Sequence, residues 1–390
     1  MKKKLCIVVA SPYTLEVFLL DQIRALAGIY DVSVALNTDE ERIMERLGID
    51  ARLIRVRIER KISLVIDFLA LLSLYFLFRR ERFELVHSVD PKAGLLSMTA
   101  SRLAGVPVRI HTFTGQVWGT RGGAMRTLLK CADKVTAMAS SAILVDSSSQ
   151  RDFIVKERVL PAEKAFVLGN GSISGVDIRK FQPSAEFRES IRAKHGIPPH
   201  SFVILYMARL TRDKGALVMA GAFSRLAAER PSAQLLVVGP DEESLRPRIR
   251  DICRLCLDRV HFVDFVSIPE KYMACADVFC LPSYREGFGT AMINAAAVGI
   301  PSVASRIYGS TDAVLDGVTG FLFEPGDVSA CAGLLVRLFD DPALRIAIGK
   351  QARERAARDF PEELLTSSLL AFYRDLLGPP AEKRSAGTRP

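Results

Sequence analysis

Two runs of apolar strands alternating with helices, separated by one Gly- and Ser-rich break, constrain the fold of this chain most. In the first run "KLCIVVAS" leads into a helix from about Leu15 to Gly28, then "DVSVALN". "FELVHSVD", "VPVRIHTFTG", "AILVDSSSQ" and "KAFVLGNGS" follow, with helical stretches between them. These strands are continuously apolar, as in a parallel sheet covered on both faces. "GNGSISGVDIRKFQP" (Gly169–Pro183) breaks the rhythm as a linker would. It restarts at "SFVILYMARL" and runs through "AQLLVVGP", "VHFVDFV", "ADVFCLPS", "PSVAS" and "GFLFEP". A length of 390 residues also favours two cores over one. The expected fold class is α/β, two Rossmann-like doubly wound domains over 1–176 and 177–360 with a cleft between them. A helix over 361–378 is expected to cross back onto the first domain, and the tail 379–390 reads as disordered.

The start, "MKKKLCIVVASPYTLEV", is superficially like a signal peptide, but its apolar run is short and Pro12, Glu16 and Asp21 follow with no cleavage site. It reads as a buried first strand of a cytoplasmic protein. The seven cysteines are scattered through apolar runs, which fits free thiols in a reducing compartment. Cys253, Cys256, Cys275 and Cys280 loosely have zinc-ribbon spacing, yet Cys280 falls in the strand "ADVFCLPS" and no Gly or Pro knuckle is present. No metal site is assigned.

The net charge of +9 is uneven: residues 1–176 hold 25 Lys and Arg against 18 Asp and Glu. Within that half "RLIRVRIERK" (Arg52–Lys61) precedes an apolar stretch, Leu64–Phe78, that is short for a bilayer span. It reads as a buried helix behind a solvated charged turn, or as an interfacial segment whose basic residues face anionic headgroups. One helix can do both, burying one side and dipping the other.

Ligands of open α/β sheets bind beyond the carboxyl ends of the strands. There "MARLTRDKGA" places Arg209 and Lys214 around a turn that enters a helix at Gly215, which suits two cations gripping a diphosphate. The alternative is a solvated loop. "SYREGFGTAMINAAAVGIPSVAS" (Ser283–Ser305) puts Glu286 in a turn before Gly287, Phe288, Gly289 and Thr290, which lead into a helix. Glycines let backbone N–H groups approach a ligand, and a carboxylate accepts hydrogen bonds from sugar hydroxyls. The alternative for Glu286 is an acid that only complements the helix dipole. Asn294 lies eight residues on, ~12 Å along a helix, so the two side chains are placed to touch opposite ends of one sugar nucleotide.

Together these motifs resemble the bacterial glycosyltransferases of GT-B fold in the large retaining family 4, over nearly the whole chain. "HTFTGQVW", "HSVDPKAGLL" and "GNGSISGVDIRKF" are most similar to the branch that builds capsular and O-antigen polysaccharides. The resemblance implies that Glu286 and the backbone of Gly287–Thr290 contact the donor sugar. It implies that Arg209 and Lys214 hold the diphosphate of UDP, and that His111 approaches the sugar or the reaction centre. Asn294 stands where the family has a second glutamate, so its ribose contact is expected to be weaker. "SPYTLEV" replaces the family's Gly-Gly loop, Ala208 replaces a glycine of the diphosphate grip, and Asp264 replaces a glycine near the nucleobase. No cofactor and no metal is expected, since the two cations can serve the ion's role. Lys92, opening a helix at a cleft-facing strand end, suits the pyrophosphate of a lipid-linked acceptor.

The expected function is retaining transfer of a sugar, N-acetylated, from a UDP-sugar to an undecaprenyl-diphosphate-linked saccharide. It would take place peripherally on the inner face of the plasma membrane, with no nucleic acid partner. Two rivals remain: a UDP-sugar 2-epimerase of the same fold, and a catalytically degenerate nucleotide-sugar-binding subunit.

Overall fold

The computed structural model describes residues 2–59 and 62–378. The first sheet contains β1 (Lys4–Val9), β2 (Asp31–Leu36), β3 (Arg52–Arg55), β4 (Leu85–Val89), β5 (Val108–Phe113), β6 (Ala142–Val145) and β7 (Ala165–Val167). Its order is β3-β2-β1-β4-β5-β6-β7, and the pairings are parallel. The second sheet contains β8 (Phe202–Met207), β9 (Ala233–Val238), β10 (Val260–Val263), β11 (Val278–Leu281), β12 (Ser302–Ser305) and β13 (Gly320–Phe323). Its order is β10-β9-β8-β11-β12-β13, again parallel. Strand order reverses between β1 and β4 and between β8 and β11, and the crevices at those switch points are where such sheets take ligands.

The continuous apolar runs are continuous because helices cover both faces. Leu5, Ile7 and Val9 pack with Leu85 and Leu369 on one face of the first sheet, while Cys6, Val8 and Val86 pack with Leu74 and Phe78 on the other. The last helix, Glu362–Leu377, belongs to the first of these faces, where Tyr373 Oη lies 2.5 Å from His87 Nδ1. The two chain crossings run side by side: Val176 N donates to Phe360 O at 2.8 Å and Glu362 N donates to Val176 O at 3.2 Å. Gly175 (φ +70°) is needed there, since a Cβ would come within 2.8 Å of Glu362 Cα.

Two expectations change. The helix after β1 is not uniform: Pro12–Thr14 is a single turn, Leu15–Leu19 is π-helical, and a regular helix spans Leu20–Ile29. The basic run is not a bare cationic strip, because Arg52 pairs with Glu81 at 2.9 Å, Arg55 with Glu41 at 3.0 Å and Arg57 with Glu59 at 2.7 Å. Arg60, Lys61 and the tail 379–390 lie outside the described residues. The apolar stretch forms one helix, Leu64–Glu81, and among the described residues no helix is long and apolar enough to cross a membrane. Among those residues, too, no group of three His, Cys, Asp or Glu side chains is placed to hold a metal ion.

Candidate active site

Two loops meet at the switch point of the second sheet. The loop after β8 closes in a 3-10 turn, Arg212–Lys214, followed by Gly215 at φ +70°. The loop after β11 runs from Pro282 to Gly289 and enters the helix Thr290–Val298. They touch directly, Tyr284 N donating to Asp213 O at 2.8 Å, and a side chain on Gly215 would strike the Pro282 carbonyl. Gly215 is thus fixed by loop contact as well as by its backbone angle.

Glu286 is 7 % exposed, and Lys214 Nζ donates to its Oε1 at 2.7 Å. Ser283 Oγ donates to the same oxygen at 2.8 Å. Both bonds use Oε1, which leaves Oε2 as an acceptor. Lys214 keeps two further N–H donors beyond the one given to Glu286. Arg209, on the same loop, turns to Glu242 at 2.6 Å, and both side chains stay partly exposed. Gly287 to Gly289 lie outside the helix, which begins at Thr290, so helical rise does not measure the span from Glu286 to Asn294. Asn294 sits mid-helix and is half-buried.

The first domain closes over this loop. Ser147 Oγ donates to Gly287 O at 2.9 Å, and Gly115 (φ +101°) would bring a Cβ within 3.1 Å of Gly287 N. A Cβ on Gly287 would lie 2.5 Å from Asp146 Oδ2 and 2.8 Å from the Thr114 carbonyl carbon. Beside it Gly309 N donates to Ser149 Oγ at 2.8 Å, and Tyr308 stacks on Phe153 with ring centroids 4.6 Å apart. Asp146 closes the apolar strand β6, and its burial pushes the carboxyl up to about 8. This seam escaped the sequence reading, although "ILVDSS" ends a strand in polar residues as the two recognised loops do.

His111 lies inside β5, two residues before its end, and is 1 % exposed. Its Nδ1 is 2.9 Å from Ser88 Oγ, and Gly94 gives it room, since a Cβ there would sit 2.9 Å from Nε2. Burial, then the neighbouring His87, lower its pKa to about 3, so the ring is neutral near pH 7. Lys92, at the start of the helix Pro91–Ala104, reaches Asp67 of the helix Leu64–Glu81 at 2.7 Å. The structure therefore joins Glu286, Lys214 and the Gly287–Thr290 backbone in one place. Arg209 lies at its rim; His111 meets Ser88 and Lys92 meets Asp67, both first-domain residues.

Buried polar atoms without partners collect at these strand ends. His111 Nε2, Gln116 Nε2, Asp146 Oδ1, Thr211 Oγ1 and Arg285 Nε are all sealed and unpaired. Each such group costs about 1–3 kcal/mol, and a polar ligand would supply partners to those it reaches; Arg246 Nε, Glu270 Oε2, Ser305 Oγ and Ser310 Oγ likewise lack hydrogen-bond partners.

Residues 187–355 match the family model described as glycosyl transferases group 1, and residues 14–171 match a glycosyl transferase 4-like domain. A Staphylococcus aureus protein, capsular polysaccharide biosynthesis glycosyltransferase CapM, is 30 % identical over 83 % of this chain and 84 % of its own. This chain belongs to the glycosyl transferases group 1 family.

It is a glycosyltransferase of GT-B fold. An Escherichia coli relative, a UDP-Gal:alpha-D-GlcNAc-diphosphoundecaprenol alpha-1,3-galactosyltransferase, is 29 % identical over 82 % of each chain. In structure, HepE from Anabaena in complex with UDP-glucose superimposes with a TM-score of 0.79 at 20 % identity, over 95 % of this chain and 99 % of that one. Sucrose-phosphate synthase from Thermosynechococcus elongatus gives 0.80 at 22 % identity, over 96 % and 99 %.

Proposed function

We propose that this glycosyltransferase moves a hexose from a UDP-sugar to an undecaprenyl-diphosphate-linked saccharide during assembly of a bacterial surface polysaccharide, with retention at the transferred carbon. The carrying observation is the Lys214–Glu286 pair, 2.7 Å apart at the start of the helix Thr290–Val298. One cation, one carboxylate with an oxygen to spare and a helix N-terminus fit a ligand with a diphosphate beside sugar hydroxyls. The E. coli relative, whose name gives a diphosphoundecaprenol-linked sugar as acceptor, and the UDP-glucose bound by HepE support the choice of acceptor and donor class.

In this reading Lys214 gives its remaining N–H donors to the diphosphate, joined by Arg209 from the rim, and both oppose charge as UDP leaves. They supply what a metal ion would, and catalysis needs none. Glu286 Oε2 accepts from a hydroxyl of the sugar, held in place by Ser283 and Lys214 at Oε1. Neutral His111, whose Nε2 lacks a partner, would act as a hydrogen-bonding group and not as a cation. Asn294 bonds the ribose and Lys92 the acceptor pyrophosphate. The N-acetylated donor expected from the sequence is one arm of the assay.

The test incubates the protein with UDP-glucose, UDP-galactose and their N-acetylated forms, with and without a diphosphoundecaprenol-linked sugar. Acceptor-dependent UDP release with an α-linked product by NMR supports the reading. Donor epimerisation without acceptor shows a 2-epimerase, and UDP binding without turnover shows a binding subunit.

A further inference from the structure

One face of the first sheet carries three neighbouring helices, Leu64–Glu81, Pro91–Ala104 and Gly123–Ala139, in contact in that order. The first buries Ala70, Leu74, Leu77 and Phe78 against the sheet. Its opposite side exposes Leu64 at 84 %, Val65, Phe68, Leu69 and Phe76, all within an arc of about 140° at 100° per residue. The third helix repeats the arrangement: it buries Thr136, Ala137 and Ala139 and exposes Met125, Leu128, Val135 and Met138 at helical spacing. Leu103, 64 % exposed, lies at the end of the helix between them, where Arg102 donates to the Met138 carbonyl at 2.5 Å. Large side chains left in water in two parallel rows need an occupant.

The charge on this layer says which. The three helices carry seven Lys and Arg; Arg80 pairs with Glu81, Lys92 with Asp67, and Arg126 and Lys130 with Glu157, while Arg79, Arg102 and Lys134 meet no carboxylate among the described residues. Their three acids are turned in: Asp67 is 18 % exposed and bound to Lys92, Glu81 is 13 % exposed and bound to Arg52, and Asp133 is 8 % exposed and bound to Trp118. Two copies of the chain meeting through this face would set cations against cations. An anionic lipid surface takes apolar rows into its headgroup boundary and pairs the basic residues around them.

We propose that this three-helix layer is a membrane-docking face, in which the helix Gly123–Ala139 is a second anchor beside Leu64–Glu81. The Asp67–Lys92 contact fixes the most exposed end of the first helix beside the carboxyl end of β4, at the switch-point crevice. The cleft therefore opens next to the lipid surface, and a lipid-linked acceptor reaches it headgroup first. The choice of acceptor rests on the proposed transfer reaction; the docking face does not.

The experiment is co-sedimentation of the full chain with phosphatidylcholine vesicles, with or without phosphatidylglycerol, for wild type and two double variants. Leu128→Glu with Met138→Glu alters the third helix, and Phe68→Glu with Leu69→Glu the first; Leu255→Glu, at an exposed leucine of the second domain, is the control. Circular dichroism melts confirm that each is folded. Wild type and control should bind the anionic vesicles, each double variant at least tenfold less, and added salt should weaken binding. Binding of the Leu128/Met138 variant at the wild-type level overturns the second anchor. No wild-type binding, or a dimer that the same variant dissolves, overturns the membrane as occupant. Transfer to a short water-soluble acceptor, measured in parallel, should be unchanged in every variant. Its absence in wild type that still binds vesicles counts against the transfer reading alone.

Discussion

Lys214 Nζ and Glu286 Oε1 stand 2.7 Å apart and join the two loops that leave β8 and β11, so one ion pair couples the cationic turn to the acidic one. With side chains 20 % and 8 % exposed, the pair is structural as well as chemical, whereas the Arg209–Glu242 pair, at 38 % and 34 %, is a surface contact. That difference separates two substitutions which otherwise look alike.

Lys214→Ala should weaken UDP binding and also lower the melting temperature, because it leaves Glu286 buried without its cation. Arg209→Ala should weaken UDP binding with little change in melting temperature, since exposed pairs contribute about 0–1 kcal/mol. Calorimetric titration of UDP and a thermal melt on each protein read the two effects. Unchanged UDP affinity in both would place the diphosphate elsewhere.

Glu286→Gln keeps the volume and removes the charge. Transfer should fall by roughly 10²-fold or more, the scale of losing one electrostatic contact to a transition state. Ser283 and Lys214 can still donate to the amide oxygen, so the fold should persist. Turnover near wild type by the folded variant would remove Glu286 from the reaction.

Gly287→Ala should be disproportionately harmful. Its Cβ would sit 2.5 Å from Asp146 Oδ2 and 2.8 Å from the backbone of Thr114, so the seam between domains must open. Gly28→Ala, in the helix Leu20–Ile29 with nothing within 4 Å, should be neutral or slightly stabilising, by ~0.5–1 kcal/mol. Melting temperatures and transfer rates of both decide the matter; equal behaviour would mean the seam is loose in solution.

Asp146→Asn should change how stability depends on pH. The folded carboxyl titrates near 8 and the unfolded one near 3.8, so between those values the folded state holds a proton that the unfolded state has released. Stability from this group is therefore lost as pH rises, by up to ~1.4 kcal/mol per unit. The asparagine carries no such proton, and its advantage over wild type should grow between pH 5 and 7 in urea unfolding. A constant difference would show that Asp146 ionises normally.

Asn294→Glu restores the glutamate that the family pattern has at this position. If the side chain meets the ribose, UDP binding should hold or tighten through a charge-assisted hydrogen bond. Loss of UDP binding in a folded variant would mean that the helix face serves something else.

The amino-acid sequence alone determined the two alternating runs, their parallel sheets and the loops that carry Glu286, Lys214 and Arg209. Those features follow from local periodicity and from glycines beside strand ends, which need no knowledge of neighbours. Tertiary structure decided the partners. Lys214 is 72 residues from Glu286 and meets it only because β8 and β11 are adjacent at the switch point. Asp146 and Ser147 reach Gly287 only once the domains close. Arg52 lost its standing as a bare cation because Glu81, 29 residues on, comes beside it. The apolar helix after it could be read as buried, interfacial or both. Packing against the sheet decided that one side is buried and the other left exposed, because a helix on a sheet can bury only one side of its circumference.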